Sequence, residues 1–219
     1  MKKQALLKGV QDLLQKRAIV KVPVGQQGKG TYSILFLVKK PNGDYRPVLD
    51  LKSVNLYIPH KSFKMVTLQM ILPFLSVGDF LASLDLRDAY LHVPVHQSSQ
   101  RFLRFCVEGE HFQFQALPFG LSSSPRVFTK VLAPLVGLLH AKGIQVFPYL
   151  DDWLISSSSF SKALSQTQEV CGLLERFGWL INQEKSHLTP SQELLFIGGV
   201  FNTMEGKVFL SKARRERLL

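Results

Sequence analysis

Apolar residues recur along this chain in two periods. Leu6, Val10, Leu13 and Leu14 fall at helical spacing within Gln4 to Arg17 and predict an amphipathic helix. Further helical runs are predicted over Leu68 to Leu75, from Ser123 to about Lys142, and from Phe160 to Phe177. The second would bury Val127, Phe128, Val131, Leu135 and Leu139, with a kink at Pro134. The third would bury Ala163, Thr167, Val170, Leu174 and Phe177, with Gly178 suited to its C-terminal cap. Shorter runs rich in β-branched and aromatic residues read as strands: 33–38 and 46–51 across the Pro41-Asn42-Gly43-Asp44 turn, then 79–84, 101–106, 111–115 and 144–155. This alternation predicts an α+β fold with helices on one face of a largely antiparallel sheet. The glycines at 25, 28 and 30 lack the phosphate-loop pattern and read as a turn.

Composition narrows the picture. With 219 residues, 46% of them apolar, and no hydrophobic run of membrane length, the chain can bury a substantial core and needs no membrane partner. A formal charge of +11, from 27 basic against 16 acidic residues, favours polyanionic partners. Cys106 and Cys171 have no zinc spacing and no secretory signal precedes them, so they read as reduced core thiols of an intracellular protein, cytoplasmic or nuclear and not secreted.

Candidate chemistry centres on Val146-Phe147-Pro148-Tyr149-Leu150-Asp151-Asp152-Trp153-Leu154-Ile155, where two acidic residues interrupt apolar arms. Both carboxylates would sit in or beside a hairpin turn, and their repulsion calls for a cation; hard divalent ions take such oxygen ligands. A third carboxylate, Asp85, ends the apolar run Phe80-Leu81-Ala82-Ser83-Leu84. If that strand pairs beside the hairpin, Asp85 and Asp151 meet at one end of the sheet and can bridge two cations, the arrangement used for in-line phosphoryl displacement. For Asp88, capping the following helix is the competing role.

The chain contains YLDD at 149–152, LDLRDAY at 84–90, LPFGLSSSP at 117–125, VKKPNGDYRPVLDLKSVN at 38–55, NQEKSHL at 182–188 and LFIGG at 195–199. In this order they resemble the conserved blocks of a reverse transcriptase, from about Ile34 to Val200. The wording of LPFGLSSSPRVFTKVL and FPYLDDWLI is most similar to retrotransposons of the DIRS type, which integrate with a tyrosine recombinase. The resemblance implies a fingers subdomain over about 1–59 and 98–116 and a palm over about 60–97 and 117–210. The basic stretch 211–219 would at most begin a thumb. Ribonuclease H, recombinase and protease segments would have to lie elsewhere in a longer polyprotein.

It also implies roles, residue by residue. Asp85 and Asp151 would be the principal ligands of two Mg²⁺ ions, or Mn²⁺ in their place, with Asp152 supporting. Lys40 and Arg46, cations flanking a hairpin tip, would contact the incoming deoxynucleoside triphosphate; Lys39 is a rival for Lys40. Asp88 and Ala89 belong to the block beside the nucleotide. Tyr90 would exclude a 2′-hydroxyl by bulk. Phe119 and Gly120 would pack near nucleotide and template, Phe119 by stacking, since it stands where some retroviral relatives carry glutamine. Tyr149, Leu150, Gly198 and Gly199 would lie along the primer, and Lys185 is a candidate general acid for the leaving pyrophosphate. The implied activity is RNA-directed DNA synthesis on a primed RNA or DNA template. Two readings compete with it: a catalytically silent nucleic-acid-binding remnant, and an RNA-dependent RNA polymerase. The bulky Tyr90 argues against the latter.

Overall fold

The computed structural model describes residues 2–39, 43 and 45–216. The chain forms two compact units, Met1–Ser62 with Tyr90–Phe128, and Phe63–Ala89 with Thr129–Leu219. In chain order the elements are α1 (Lys2–Gln15), β1 (Ile19–Lys21), β2 (Leu35–Lys39), β3 (Tyr45–Leu49), α2 (Lys52–Asn55), α3 (Leu68–Ile71) and β4 (Phe80–Asp85). There follow α4 (Gln97–Gln100), β5 (Arg104–Val107), β6 (Glu110–Phe114), α5 (Ser124–Ala141), β7 (Gln145–Tyr149), β8 (Asp152–Ser157) and α6 (Phe160–Arg176). The chain continues through β9 (His187–Ser191), β10 (Glu193–Phe196), β11 (Gly199–Asn202), β12 (Lys207–Leu210) and α7 (Lys212–Arg215).

In the first unit, the apolar stripe of α1 becomes one wall of a core. Val10 and Leu13 are buried with Ile19, Leu35, Leu49, Phe105, Phe112 and Phe114. The sheet β1-β6-β5 supplies most of the other wall, with Phe105 stacked on its cross-strand partner Phe112 at 5.4 Å. β2 and β3 pair separately as a hairpin, Val38 opposite Arg46. Beneath the glycine-rich turn lies Arg104, 3% exposed. Its guanidinium donates to Gln26 O at 2.7 Å, Lys29 O at 2.6 Å, Gln26 Oε1 at 2.9 Å and Gln113 Oε1 at 3.0 Å. A buried charge is tolerable only when its donors are met in this way.

The second unit is built on the antiparallel sheet β7-β8-β4-β9, with α6 packed across β4, β8 and β9. Ala163, Thr167, Val170 and Leu174 form the buried stripe of α6, joined by Leu173. The helix is capped at both ends. Ser159 accepts from Lys162 N, and beyond Phe177 the left-handed Gly178 lets its own N–H reach Glu175 O and that of Trp179 reach Leu174 O. A second sheet, β10-β11-β12, shares a core of Ile71, Leu81, Phe147, Leu154, Leu194, Phe196 and Phe201 with the first.

The α+β expectation holds, but among the described residues the antiparallel strands fall into four sheets. Three side chains expected inside are outside. Phe177 is 59% exposed because the cap turns the chain there, and in α5 the buried position is Leu132, leaving Val131 44% exposed. Cys106 points outward from β5 and is no core thiol; Cys171 is half-buried, and burial, aided by Glu175, pushes its thiol up to about 11. No helix of the described residues is long and apolar enough to cross a membrane. Replacing Arg104 by Leu should destabilise the chain by roughly 2–4 kcal/mol, since it strands acceptors that the guanidinium gathers. Urea denaturation measures this, and a change below about 0.5 kcal/mol would show that the turn needs no such anchor.

Candidate active site

β4 ends on Asp85 and β8 begins on Asp152, and the two residues are directly paired, so their side chains share one face of the sheet. β7 and β8 are joined by a loop of only two residues, Leu150 and Asp151, between the paired Tyr149 and Asp152. Leu150 takes φ +54°, the left-handed first loop position of a tight hairpin, at a cost on the order of 1 kcal/mol for a residue with a Cβ. The hairpin is tied to β4 by Leu86 N, which donates to Asp151 O at 2.8 Å. All three acidic residues predicted from the sequence are therefore gathered at one end of one sheet.

The segment 182–188 wraps Asp85. Asn182 N donates to Asp85 O at 2.8 Å, and Asp85 N donates to Ser186 Oγ at 3.0 Å. Ser186 Oγ in turn donates to Asn182 O at 2.7 Å, and the Asn182 side chain bonds the Asp85 carboxylate. Lys185 Nζ stands 3.8 Å from Asp85 Oδ2. Sequence reasoning named only Lys185 here. Asn182 and Ser186 share its block, and that shared block was the available signal.

Burial dominates the electrostatics, with like charges adding to it. Burial, then Asp151 and Asp85, push Asp152 up to about 6 from an ordinary 3.8. Asp85 is also raised by burial and Asp151, with the Lys185 ammonium opposing. In kind and in charge these oxygens suit a divalent cation. Among the described residues, however, no group of three His, Cys, Asp or Glu side chains is drawn close enough together to hold an ion as it stands.

The first unit carries a second constellation. Arg46 Cζ lies 4.5 Å above the centre of the Phe119 ring, which is itself 5.2 Å from the Tyr90 ring; Tyr90 meets Phe128 edge-on at 5.4 Å. Gly120, at φ +100°, passes so near Leu49 O that an added Cβ would sit 2.4 Å from it. Asn55 holds this turn from both sides, donating to Gly120 O at 2.9 Å and accepting from Ser122 N at 2.8 Å. Sequence reasoning missed Asn55, though it closes the block that also holds Arg46. Lys40 lies outside the described residues. Asp88, at φ +52°, is 3.9 Å from Arg87 Nε, and Ala89 is buried at the start of a 3₁₀ turn.

In the second unit Tyr149 packs beside the apolar core. Ile197 and Gly198 form the two-residue loop between β10 and β11, with φ +40° and +81°, and Gly199 is the first, buried residue of β11. A Cβ added at Gly198 would run into the Arg214 side chain.

Residues 38–201 match the family described as reverse transcriptase (RNA-dependent DNA polymerase). The chain belongs to the reverse transcriptase family. It is 30% identical over 200 residues to the Pro-Pol polyprotein of Simian foamy virus type 1, covering 90% of this chain and 16% of the polyprotein. It is 29% identical over 165 residues to the Tf2-3 transposon polyprotein of Schizosaccharomyces pombe, covering 75% of this chain and 12% of that one. The chain thus spans a small part of the curated relatives it matches. Among solved structures, it is similar to a foamy viral protease–reverse transcriptase in complex with double-stranded DNA, with a TM-score of 0.82 and 26% identity over 99% of this chain and 36% of that one. A foamy viral protease–reverse transcriptase in complex with an RNA/DNA hybrid gives 0.79 at 25% identity, covering 99% of this chain and 28% of that chain. These likenesses bear out the α+β palm-and-fingers fold.

The raised carboxyl of Asp152 has a defined sign. A folded-state value of about 6 against 3.8 means that the folded chain holds this proton more tightly than the unfolded one, so the contribution is full below about pH 4 and is lost as pH rises through about 6. Asp152→Asn should therefore melt higher than the parent at neutral pH, by a margin that shrinks toward pH 4 in metal-free buffer. A margin independent of pH in thermal melts would show that Asp152 is not held up by its neighbours.

Proposed function

We propose that this chain is the fingers and palm of an RNA-directed DNA polymerase that extends a primer 3′-hydroxyl with deoxynucleotides on an RNA or DNA template. The observation that carries the reading is the pairing of Asp85 with Asp152 across β4 and β8, with Asp151 in the adjoining turn. Family membership supports it, as do the structural relatives solved with double-stranded DNA and with an RNA/DNA hybrid. The fingers would span about 1–59 and 98–116 and the palm about 60–97 and 117–210, a division that crosses the compact units at 60–62, 90–97 and 117–128. Residues 211–219 would open the thumb, with further regions in a longer polyprotein. The wording of residues 117–132 and 147–155 supports an origin in a DIRS-type retrotransposon.

Asp85 and Asp151 would be the principal holders of two Mg²⁺ ions, with Asp152 supporting. Bound there, the ions would activate the attacking hydroxyl and stabilise the departing pyrophosphate. Asn182 and Ser186 fix the backbone of Asp85, and the Lys185 ammonium balances its charge and would donate a proton to the leaving group. Arg46, seated over the Phe119 ring, would contact the triphosphate, joined by Lys40. Tyr90, braced by Phe119 and Phe128 and flanked by Asp88 and Ala89, would block a 2′-hydroxyl. Gly120 would let the nucleotide and template approach its turn, and Tyr149, Leu150, Gly198 and Gly199 would line the primer.

Primer extension on a homopolymer RNA template with Mg²⁺ tests the whole reading, using this chain and a form extended through downstream coding sequence. Asp85→Asn or Asp151→Asn should reduce extension at least about a thousandfold while circular dichroism stays unchanged. Near-normal turnover in a folded variant removes that residue from the ligand set. Duplex binding without synthesis in both forms would instead identify a silent nucleic-acid-binding remnant.

Sugar choice is a separate prediction. Tyr90→Ala should raise ribonucleotide use relative to deoxynucleotide use by about 2 kcal/mol, roughly thirtyfold in the ratio of efficiencies. An unchanged ratio with lower activity assigns Tyr90 to packing.

A further inference from the structure

Gly198 and Gly199, adjacent in the second unit, are bare for different reasons. Gly199 is buried, and a Cβ added there would lie 3.1 Å from Val208 Cγ1 and 3.4 Å from Leu68, so packing beneath β11 accounts for it. Gly198 is half-buried in the β10–β11 loop, at φ +81°, and a Cβ there would collide with Nε, Cζ and Cδ of Arg214. The Arg214 side chain therefore lies across the bare face of that loop. α7 is tied to the same loop: Ser211 N donates to Gly198 O at 3.2 Å, and Arg214 N and Arg215 N return to Ser211 O at 2.9 and 3.0 Å.

Arg214 is exposed, and no hydrogen bond or ion pair to its guanidinium falls among the described residues. Lys212 and Arg215 stand beside it in α7, with Glu216 the one acid of that short stretch. Glu205 pairs with Lys207 at the opposite end of the β11–β12 hairpin. This end of the small sheet thus favours an anion, and a planar fork of five donors matches phosphate oxygens in particular.

We propose that Arg214 binds a backbone phosphate of the primer strand, and that residue 198 is glycine so that the guanidinium can lie across the loop the primer follows. The inference rests on the polymerase reading, which puts Gly198 beside the primer, and adds a charged contact to a loop that otherwise offers only backbone. Such a contact fixes the strand's position and carries no sequence preference.

Binding of a labelled primer–template to the full chain across a salt series, with each phosphate near the primer 3′ end replaced in turn by a neutral methylphosphonate, tests it. In the parent, neutralising one primer linkage should weaken binding roughly tenfold. Arg214→Gln should weaken the all-phosphate duplex by a similar factor, make the salt slope shallower by about one, and be indifferent to that linkage, because the charge that met it is gone. Arg214→Lys should keep both the slope and the sensitivity. Lys130→Gln, which removes an exposed cation of α5, should remain sensitive to the linkage. Losses that simply add for Arg214→Gln and every primer linkage would overturn the proposal, as would coupling to template linkages instead, or a lowered melting temperature with uniform loss at every linkage. A parent that binds no primer–template sinks the polymerase reading and the inference with it. A parent that binds and extends while Arg214→Gln matches it throughout sinks the inference alone.

Discussion

Two carboxylates face each other across neighbouring strands, and most of the second unit compensates for that placement. Like charges directly opposite on a sheet destabilise it by up to about 1 kcal/mol. The same strands bury Leu81, Leu84, Trp153, Leu154 and Ile155 almost completely, and each such side chain contributes about 1.5–3 kcal/mol. Burial therefore outweighs repulsion several times over. The apolar ladder can hold the acidic end together, and Asn182, Lys185 and Ser186 relieve what remains around Asp85. The energy for assembling the site comes from residues that take no part in its chemistry.

In the first unit, packing takes the place of charge repulsion. Arg46 is a half-buried strand cation whose guanidinium would otherwise sample many positions, and the Phe119 face gives it one. Tyr90 meets the same Phe119 ring and that of Phe128. The turn carrying Phe119 is itself fixed at both ends by a single amide, Asn55, and pressed onto β3 at a glycine. A rigid aromatic platform of this kind orients a charged side chain at little entropic cost.

Much of this could be read from sequence, for identifiable reasons. The helices at 124–141 and 160–176 have full apolar stripes, the second also a clear cap at each end, and both were placed within two residues. Asp85, Asp151 and Asp152 stood out because acids are rare between buried strands. Signals carried by one residue at a time were weaker. Val131 and Leu132 are equally apolar neighbours, and only the helix's rotation tells them apart. Nothing local marks Arg104 as buried, because its partners Gln26 and Lys29 lie 78 and 75 residues earlier in the chain. The short strands at 19–21 and 187–210 have too few residues for a period to register, and pairing across the chain creates them. Cys106 was misread because apolar neighbours on a strand leave open which face a residue takes.

The two-residue loop at Leu150 and Asp151 makes length a stricter requirement than identity in this hairpin. Side chains alternate along a strand, so one residue added or removed between Tyr149 and Asp152 would shift β8 by a single position against β4. Trp153 would then turn toward the face that Asp152 occupies, and the carboxylate toward the core. Residue 150 can drift among side chains that endure a left-handed backbone, and glycine would even relax it. A gain or loss of one codon in this turn, by contrast, would invert the whole strand and bury a charge where an indole belongs.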